Sequence, residues 1–340
     1  MTSFGAVAAG TAATALTAAA LHYRGRVRGP FEPTTFVWSR GLALLCDKNG
    51  GTQNVKRQRG SREALPLDPR TYSGVEEGEL VWVRVSALPR FVDAILPNIR
   101  RRFTLVTGDE DWSMPSGFSG SERILSNPLV LHWFAQNFDG TDESGRISGI
   151  PIGLDFHTIS NRHRWKHWPA TPAMQEARLE ELVSRVKPTR ARIPRVHADF
   201  HFKDPARKFL GETRRDVEAT LRRNGLVDFQ ERKRQRQRAW ESRSEYAFVA
   251  SPPGNGLDCH RTWESLVLGN IVIVRHSSLD PLFEGLPVAL IDDWAEITEE
   301  NLVLWMEQFG PLFGRADVRE RLTNRYWIDR MRRRTAQALG

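Results

Sequence analysis

Between Tyr246 and Val274 the chain reads YAFVASPPGNGLDCHRTWESLVLGNIVIV, and the residues at its centre are of the types that hold an anion. Gly254, Asn255 and Gly256 interrupt a run of aromatic and β-branched residues, and Asp258, His260, Arg261 and Glu264 follow. Glycines there suit a tight backbone with positive φ. The free N–H groups at the start of a helix attract negative charge, and an arginine beside them adds a bidentate clamp for phosphate. Arg261 and Glu264 stand three residues apart on one helix face, where the carboxylate can accept hydrogen bonds from ribose or sugar hydroxyls. A glycine turn between strand and helix is common in any α/β protein, so the charged residues carry the reading. Neither a Gly-Lys-Ser/Thr loop nor a Gly-x-Gly-x-x-Gly with its trailing acidic residue is present, which removes most support for a kinase or a dehydrogenase.

His197, Asp199 and His201 alternate, so they share one strand face and have the spacing of metal ligands. A strand end beside a phosphate site explains them equally well, and no metal or other resident cofactor is expected. The chain lacks the Gly-x-Ser-x-Gly of a nucleophile elbow, so hydrolase chemistry has little support. The basic run Arg232–Arg238 invites a nucleic-acid reading. Glu231, Glu241 and Glu245 balance it, a solvated helix face accounts for it, and no nucleic-acid partner is expected.

These residues need elements to position them. At 340 residues the chain is long enough for two domains, 40% hydrophobic and 26% charged residues are ordinary for a folded protein, and a net charge of +8 favours anionic partners. Two cysteines, Cys46 and Cys259, give no disulfide framework or zinc cluster, although one bridge between them stays open. Strand-like runs at 80–85, 103–107, 129–133 and 147–152, with an amphipathic helix over 88–99, make a first half. A second half follows with strands at 196–200, 246–250, 271–274 and 288–291 and helices over 211–223 and 259–268. Helices over 299–309 and 318–338 end the chain. Short apolar strands alternating with helices predict parallel pairing with right-handed crossovers, and hence two Rossmann-like α/β halves facing each other across a cleft. The divisions are an extension at 1–33, a first domain at 34–172, a second at 173–315 and a C-terminal helix at 316–340. Residues 4–21 are uncharged and followed by Arg24, Arg26 and Arg28. They read equally as a membrane or targeting segment and as a weakly helical extension, so a Golgi or other membrane-associated compartment and the cytoplasm both stay open.

The run Pro253–Leu266, followed by Gly269–Val274 and by PVALIDDW at 287–294, resembles the signature of exostosin-like glycosyltransferases. Weaker blocks at 105–112 (LVTGDEDW), 132–137 (HWFAQN) and 149–155 (GIPIGLD) extend the resemblance over roughly residues 80–330. It implies a two-Rossmann, GT-B-type enzyme that moves a sugar from a nucleotide-sugar to a glycan or other hydroxyl acceptor, with inversion and without an essential metal. A UDP-sugar is expected ahead of a GDP-sugar, bound by the second half. The acceptor would lie largely on the first. In that scheme Arg261 and the backbone of Gly254, Asn255 and Gly256 neutralise the departing diphosphate, with Asp258, His260, His201, Arg207 and Lys208 nearby, and Glu264 holds hydroxyls. The base is expected among first-half carboxylates, Asp155 and Asp109 ahead of Asp111. Asp109, Glu110 and Asp111 are also similar to the acidic triplet by which another glycosyltransferase architecture holds Mn²⁺. The competing reading is a catalytically inactive relative that binds glycans or nucleotides.

Overall fold

Phe103–Gly108 is buried at every position, as a strand covered on both faces must be. The computed structural model describes residues 33–50, 67–160, 168–200 and 208–340. The first half contains β1 (Glu79–Arg84), β2 (Phe103–Gly108), β3 (Val130–Ala135) and β4 (Ile147–Gly149). The second contains β5 (Ile193–Ala198), β6 (Val227–Phe229), β7 (Tyr246–Ala250), β8 (Ile271–Arg275) and β9 (Val288–Ile291). The principal helices are α1 (Ser39–Leu45), α2 (Ser121–Leu125), α3 (Pro172–Val183), α4 (Arg214–Arg222), α5 (Arg236–Ser244), α6 (His260–Val267), α7 (Glu299–Phe309), α8 (Ala316–Arg321) and α9 (Asn324–Leu339).

All pairings within both sheets are parallel. The fold class is therefore α/β with two Rossmann-like sheets, as the alternation of apolar runs predicts. The first sheet has the order β1-β2-β3-β4 and the second β6-β5-β7-β8-β9. In the second, the order reverses between β5 and β7, which opens a crevice beyond their carboxyl ends where α/β sheets bind ligands. The loop Ser251–Cys259 leaves β7 at that crevice.

Alternating residues of each strand divide the core. Val81, Val83, Leu105 and Trp133 face outward with Phe91 and Ile124, while Val196, Phe248, Ile271 and Ile273 face outward on the other side with Val217 and Leu221. Between the sheets Leu80, Trp82, Val106 and Phe134 of the first share one cluster with Trp263, Leu266, Val272 and Val274 of the second. The halves thus meet through a continuous apolar core, with polar contacts between them at the loops beyond the carboxyl ends of the strands and at Glu176, which accepts from Thr35 N and Phe36 N.

The terminal helix expected over 318–338 is two helices, because Thr323 caps a new start by accepting from Tyr326 N. α9 returns to the first sheet, where Thr335 and Thr104 share a buried hydroxyl bond of 2.7 Å. The helix expected over 88–99 is a succession of α, π and 3-10 turns, with Pro89 in its first turn and Pro97 in the 3-10 turn that ends it. Cys46 and Cys259 are free thiols, so the bridge left open by the sequence is absent. Among the described residues no helix is long and apolar enough to cross a membrane; residues 4–21 lie outside them, as do 53–62 and 161–167.

Candidate functional site

The strand Tyr246–Ala250 ends in Ser251-Pro252-Pro253, and the chain then doubles back within a few residues because Gly254 N donates to Gly256 O at 2.8 Å. Positive φ is expected at these glycines, but neither is in that region. Space makes the requirement instead. A Cβ on Gly254 would stand 2.7 Å from Arg214 Nη2, and one on Gly256 would stand 2.6 Å from Asn137 Oδ1. Asn255 is exposed at the tip. Arg214, in the first turn of α4, donates from Nε to Pro253 O at 2.7 Å, and its Nη2 is 3.7 Å from Cys259 Sγ. Arg261 Nη1 approaches the same sulfur at 3.8 Å. Two guanidinium groups therefore converge on the loop at the start of α6. Burial and the neighbouring Arg261 both press the Arg214 guanidinium toward a lower pKa.

Arg261 is aimed by a buried chain of charges. Its Nε donates to Asp199 Oδ1 at 2.8 Å. Asp199 Oδ2 accepts from Arg243 Nη2 at 2.6 Å, and Arg243 Nη1 donates to Glu264 Oε2 at 3.1 Å. Burial alone would raise the Asp199 carboxyl, but Arg243 and Arg261 outweigh it and hold it well below the usual carboxylate range. Glu264, expected to face ribose or sugar hydroxyls, is buried with one oxygen on Arg243. Its observed contact supports Arg243, which supports Asp199, which positions Arg261. Asp199 is accordingly occupied by arginines, and His197 is stacked on Tyr246 with centroids 4.8 Å apart. His201 and Arg207 lie outside the described residues, and Lys208 stands exposed at their edge.

Asp258 ties the two halves together. Its carboxylate accepts from Ile152 N at 2.7 Å, Cys259 N at 2.7 Å and Trp263 Nε1 at 2.9 Å, while its own N–H donates to Asn137 Oδ1 at 2.9 Å. Burial pushes its carboxyl up to about 6 against these donors. Asp258→Asn would turn an N–H₂ toward groups that all donate, and leaving a buried donor without an acceptor costs about 1–3 kcal/mol. Urea unfolding of the variant is expected to show a loss in that range. Equal midpoints for variant and wild type would contradict this role.

His260 makes a second tie, its Nδ1–H donating to Gly153 O at 2.7 Å. Gly153 cannot be another residue. Its φ is +66°, and a Cβ there would fall 2.0 Å from Val37 O. The same loop carries Asp155 and His157. Asp155 Oδ2 pairs with Arg236 Nη2 at 2.5 Å and Oδ1 accepts from Thr158 N at 3.0 Å, and His157 Nδ1 lies 3.1 Å from Oδ1. Burial opposes ionisation of Asp155, but Arg236 and then His157 outweigh it and keep the carboxyl far below its ordinary value. Burial likewise lowers the His157 pKa, with Asp155 pulling the other way. The His157 and His260 rings are 5.4 Å apart. Asp109, the other expected base, is 3.2 Å from Arg40 and 3.5 Å from Arg84 and is buried. It adopts φ +65°, with its N–H on Gln136 Oε1 at 2.7 Å. Glu110 pairs with Arg84 Nη2 at 2.7 Å.

The structure brings together Gly254, Gly256, Asp258, His260, Arg261 and Asp155 at one end of the molecule. It engages both expected bases with arginines, which makes a carboxylate a poor proton acceptor. His157 stands beside Asp155, its Nδ1 3.1 Å from Oδ1. A carboxylate held 3.1 Å from Nδ1 favours the proton there and leaves Nε2 as the acceptor. The sequence points to a core or acceptor-site role for His157; the residue signal for more was its position two beyond Asp155. Arg236 belongs to the run expected to be a solvated face, yet it is buried against Asp155.

No family model matches the chain, and no curated protein matches its sequence. Among solved structures, the α,α-trehalose 6-phosphate synthase of Burkholderia multivorans is 12% identical over 82% of this chain and 76% of that one, with a TM-score of 0.36. The α,α-trehalose-phosphate synthase (UDP-forming) of Burkholderia vietnamiensis is 12% identical over 79% and 72%, also with a TM-score of 0.36. An E. coli trehalose-6-phosphate structure bound with UDP-2-fluoro glucose is 9% identical over 90% and 87%, with a TM-score of 0.33. At these scores the likeness carries no argument about chemistry, which has to come from the residues above.

Proposed function

We propose that the chain is a glycosyltransferase that takes a nucleotide-sugar at the crevice between β5 and β7 and passes the sugar to a hydroxyl acceptor on the side of the first sheet. One observation carries the reading: His260, adjacent to Arg261 in the anion pocket, has its ring 5.4 Å from that of His157 in the first half. A group able to meet a leaving diphosphate and a group able to take a proton are therefore neighbours contributed by different sheets. The resemblance of residues 253–274 to exostosin-like transferases supports the same assignment and, with it, a UDP-sugar donor.

In this scheme the bond between the anomeric carbon and the diphosphate oxygen breaks, and the charge left on the diphosphate is met by Arg261 and the N-terminus of α6. The acceptor oxygen attacks from the opposite side and inverts the centre. His157 Nε2 receives its proton, and Asp155 stabilises the resulting imidazolium through Nδ1, as the buried carboxylate does in other histidine-based sites. Arg236 and Thr158 N hold Asp155 in place. Asp199, Arg243 and Glu264 hold Arg261.

Calorimetry with UDP and GDP tests the donor pocket. Loss of a hydrogen bond to a charged group is worth about 1.5–3 kcal/mol, so Arg261→Ala should weaken UDP by about 10- to 100-fold. Equal affinity in both proteins would remove Arg261 from the site.

A further inference from the structure

Asp155, His157 and His260 each bring one potential ligand atom into a group within which all separations are at most 4.8 Å. Two of these side chains are anchored from behind in the manner of metal ligands. His260 donates from Nδ1 to Gly153 O at 2.7 Å, which fixes its tautomer and leaves the Nε2 lone pair available. Asp155 holds Arg236 on Oδ2 and Thr158 N on Oδ1. Ligating histidines almost always give their other ring N–H to a carbonyl or carboxylate, and ligating carboxylates are themselves hydrogen-bonded. His157 is a third exposed along its side chain, so an ion can reach it.

We propose that Asp155, His157 and His260 form a binding site for Zn²⁺, with two imidazole nitrogens, one carboxylate oxygen and a fourth position left to water. The ligand types select the ion. Two imidazoles and a carboxylate suit a borderline-soft, four-coordinate cation, whereas Mg²⁺ requires an octahedron of oxygens and keeps its waters. Arg40 is paired with Asp109, and Arg236 occupies Asp155 Oδ2, so Oδ1 is the carboxylate oxygen that meets the ion.

The binding step stands apart from the transferase reading, while its consequence rests on it. A metal on the His157 imidazole occupies the ring that would accept the proton, so Zn²⁺ acts as an inhibitor of transfer rather than its cofactor.

The test uses the full chain without a polyhistidine tag, stripped of metal and titrated with ZnCl₂ or MgCl₂ by calorimetry. One saturable equivalent of Zn²⁺ and no saturable Mg²⁺ are expected. His157→Ala and His260→Ala should each weaken Zn²⁺ by at least about 10-fold, on the scale by which even outer-shell partners act. His260→Asn covers the case in which the alanine variant fails to fold, since its amide can still donate to Gly153 O while the ring nitrogen is gone. Co²⁺ should give a visible d–d band in wild type that is lost in both histidine variants. The absence of saturable Zn²⁺ binding in wild type, or unchanged affinity in the folded variants, would overturn the site. UDP affinity of the metal-free wild type is measured in parallel and reports on the donor pocket alone, so failure of one reading is distinguishable from failure of the other.

Discussion

His157→Ala is expected to lower kcat for sugar transfer by about 10²- to 10⁴-fold, the range that a positioned general base supplies, while UDP affinity stays unchanged. The separation follows from the geometry. His157 belongs to the loop after β4, paired with Asp155 at 3.1 Å, whereas the proposed diphosphate contacts come from α6 and the loop after β7. A structural role for His157 would disturb both measurements, because His157 and His260 pack ring to ring at 5.4 Å. Added imidazole gives a second readout. It should restore part of the turnover in the variant, which a role in packing alone would not allow. Wild-type protein that binds UDP yet releases no nucleotide diphosphate with any donor sugar would instead identify a binding protein. A kcat within a few-fold of wild type in the folded variant would move the base elsewhere, and Asp109, held between Arg40 and Arg84, would be no better placed to supply it.

What the sequence made legible was whatever depends on neighbours in the chain. Runs of apolar residues located strands in both sheets, and the glycine loop between β7 and α6 was recognisable because strand, turn and helix follow within some twenty residues. The rest depends on partners that are distant in sequence. Asp155 looks like an available carboxylate until Arg236, 81 residues away, is placed against it. Glu264 looks like a ligand contact until Arg243 is. Arg236 was hidden by composition, since seven consecutive Arg, Lys and Gln residues read as a solvated face. A local signal did exist: Arg236, Trp240 and Arg243 stand at i, i+4 and i+7, so they share one face of α5 with a tryptophan. All three are buried, Arg236 through its side chain. Gly153 was legible only as part of a motif. Its necessity comes from Val37 O, 116 residues earlier, pressing against the place a side chain would occupy. Positive φ was expected at Gly254 and Gly256 from the usual behaviour of glycine, and neither has it; crowding by Arg214 and Asn137 demands glycine there by a different route.

Asp199→Ala is expected to destabilise the protein by about 3–5 kcal/mol at neutral pH, the cost of removing one partner from a buried ion pair. The side chains of Asp199 and Arg243 are 3% and 6% exposed, and that of Arg261 is 10%. Without the aspartate, Arg261 loses the carboxylate its Nε donates to and Arg243 keeps only Glu264. Arg261→Ala should cost less, since Asp199 would keep Arg243. The pH dependence has a definite sign. Arg243 and Arg261 hold the Asp199 pKa below that of the unfolded chain, so its contribution is present in full above the unfolded carboxylate value of about 3.9 and is lost as pH falls through that value toward its own. The stability gap between wild type and Asp199→Ala in urea should therefore be constant near neutrality and narrow below about pH 4. The slope with urea should not change, because the same surface is exposed on unfolding. UDP affinity should fall in the same variant even where it is fully folded, because the arginine that Asp199 aims is released from its position. A variant as stable as wild type, or a gap that does not narrow in acid, would show that Glu264 and solvent suffice for both arginines and that Asp199 is not what holds Arg261 at the pocket.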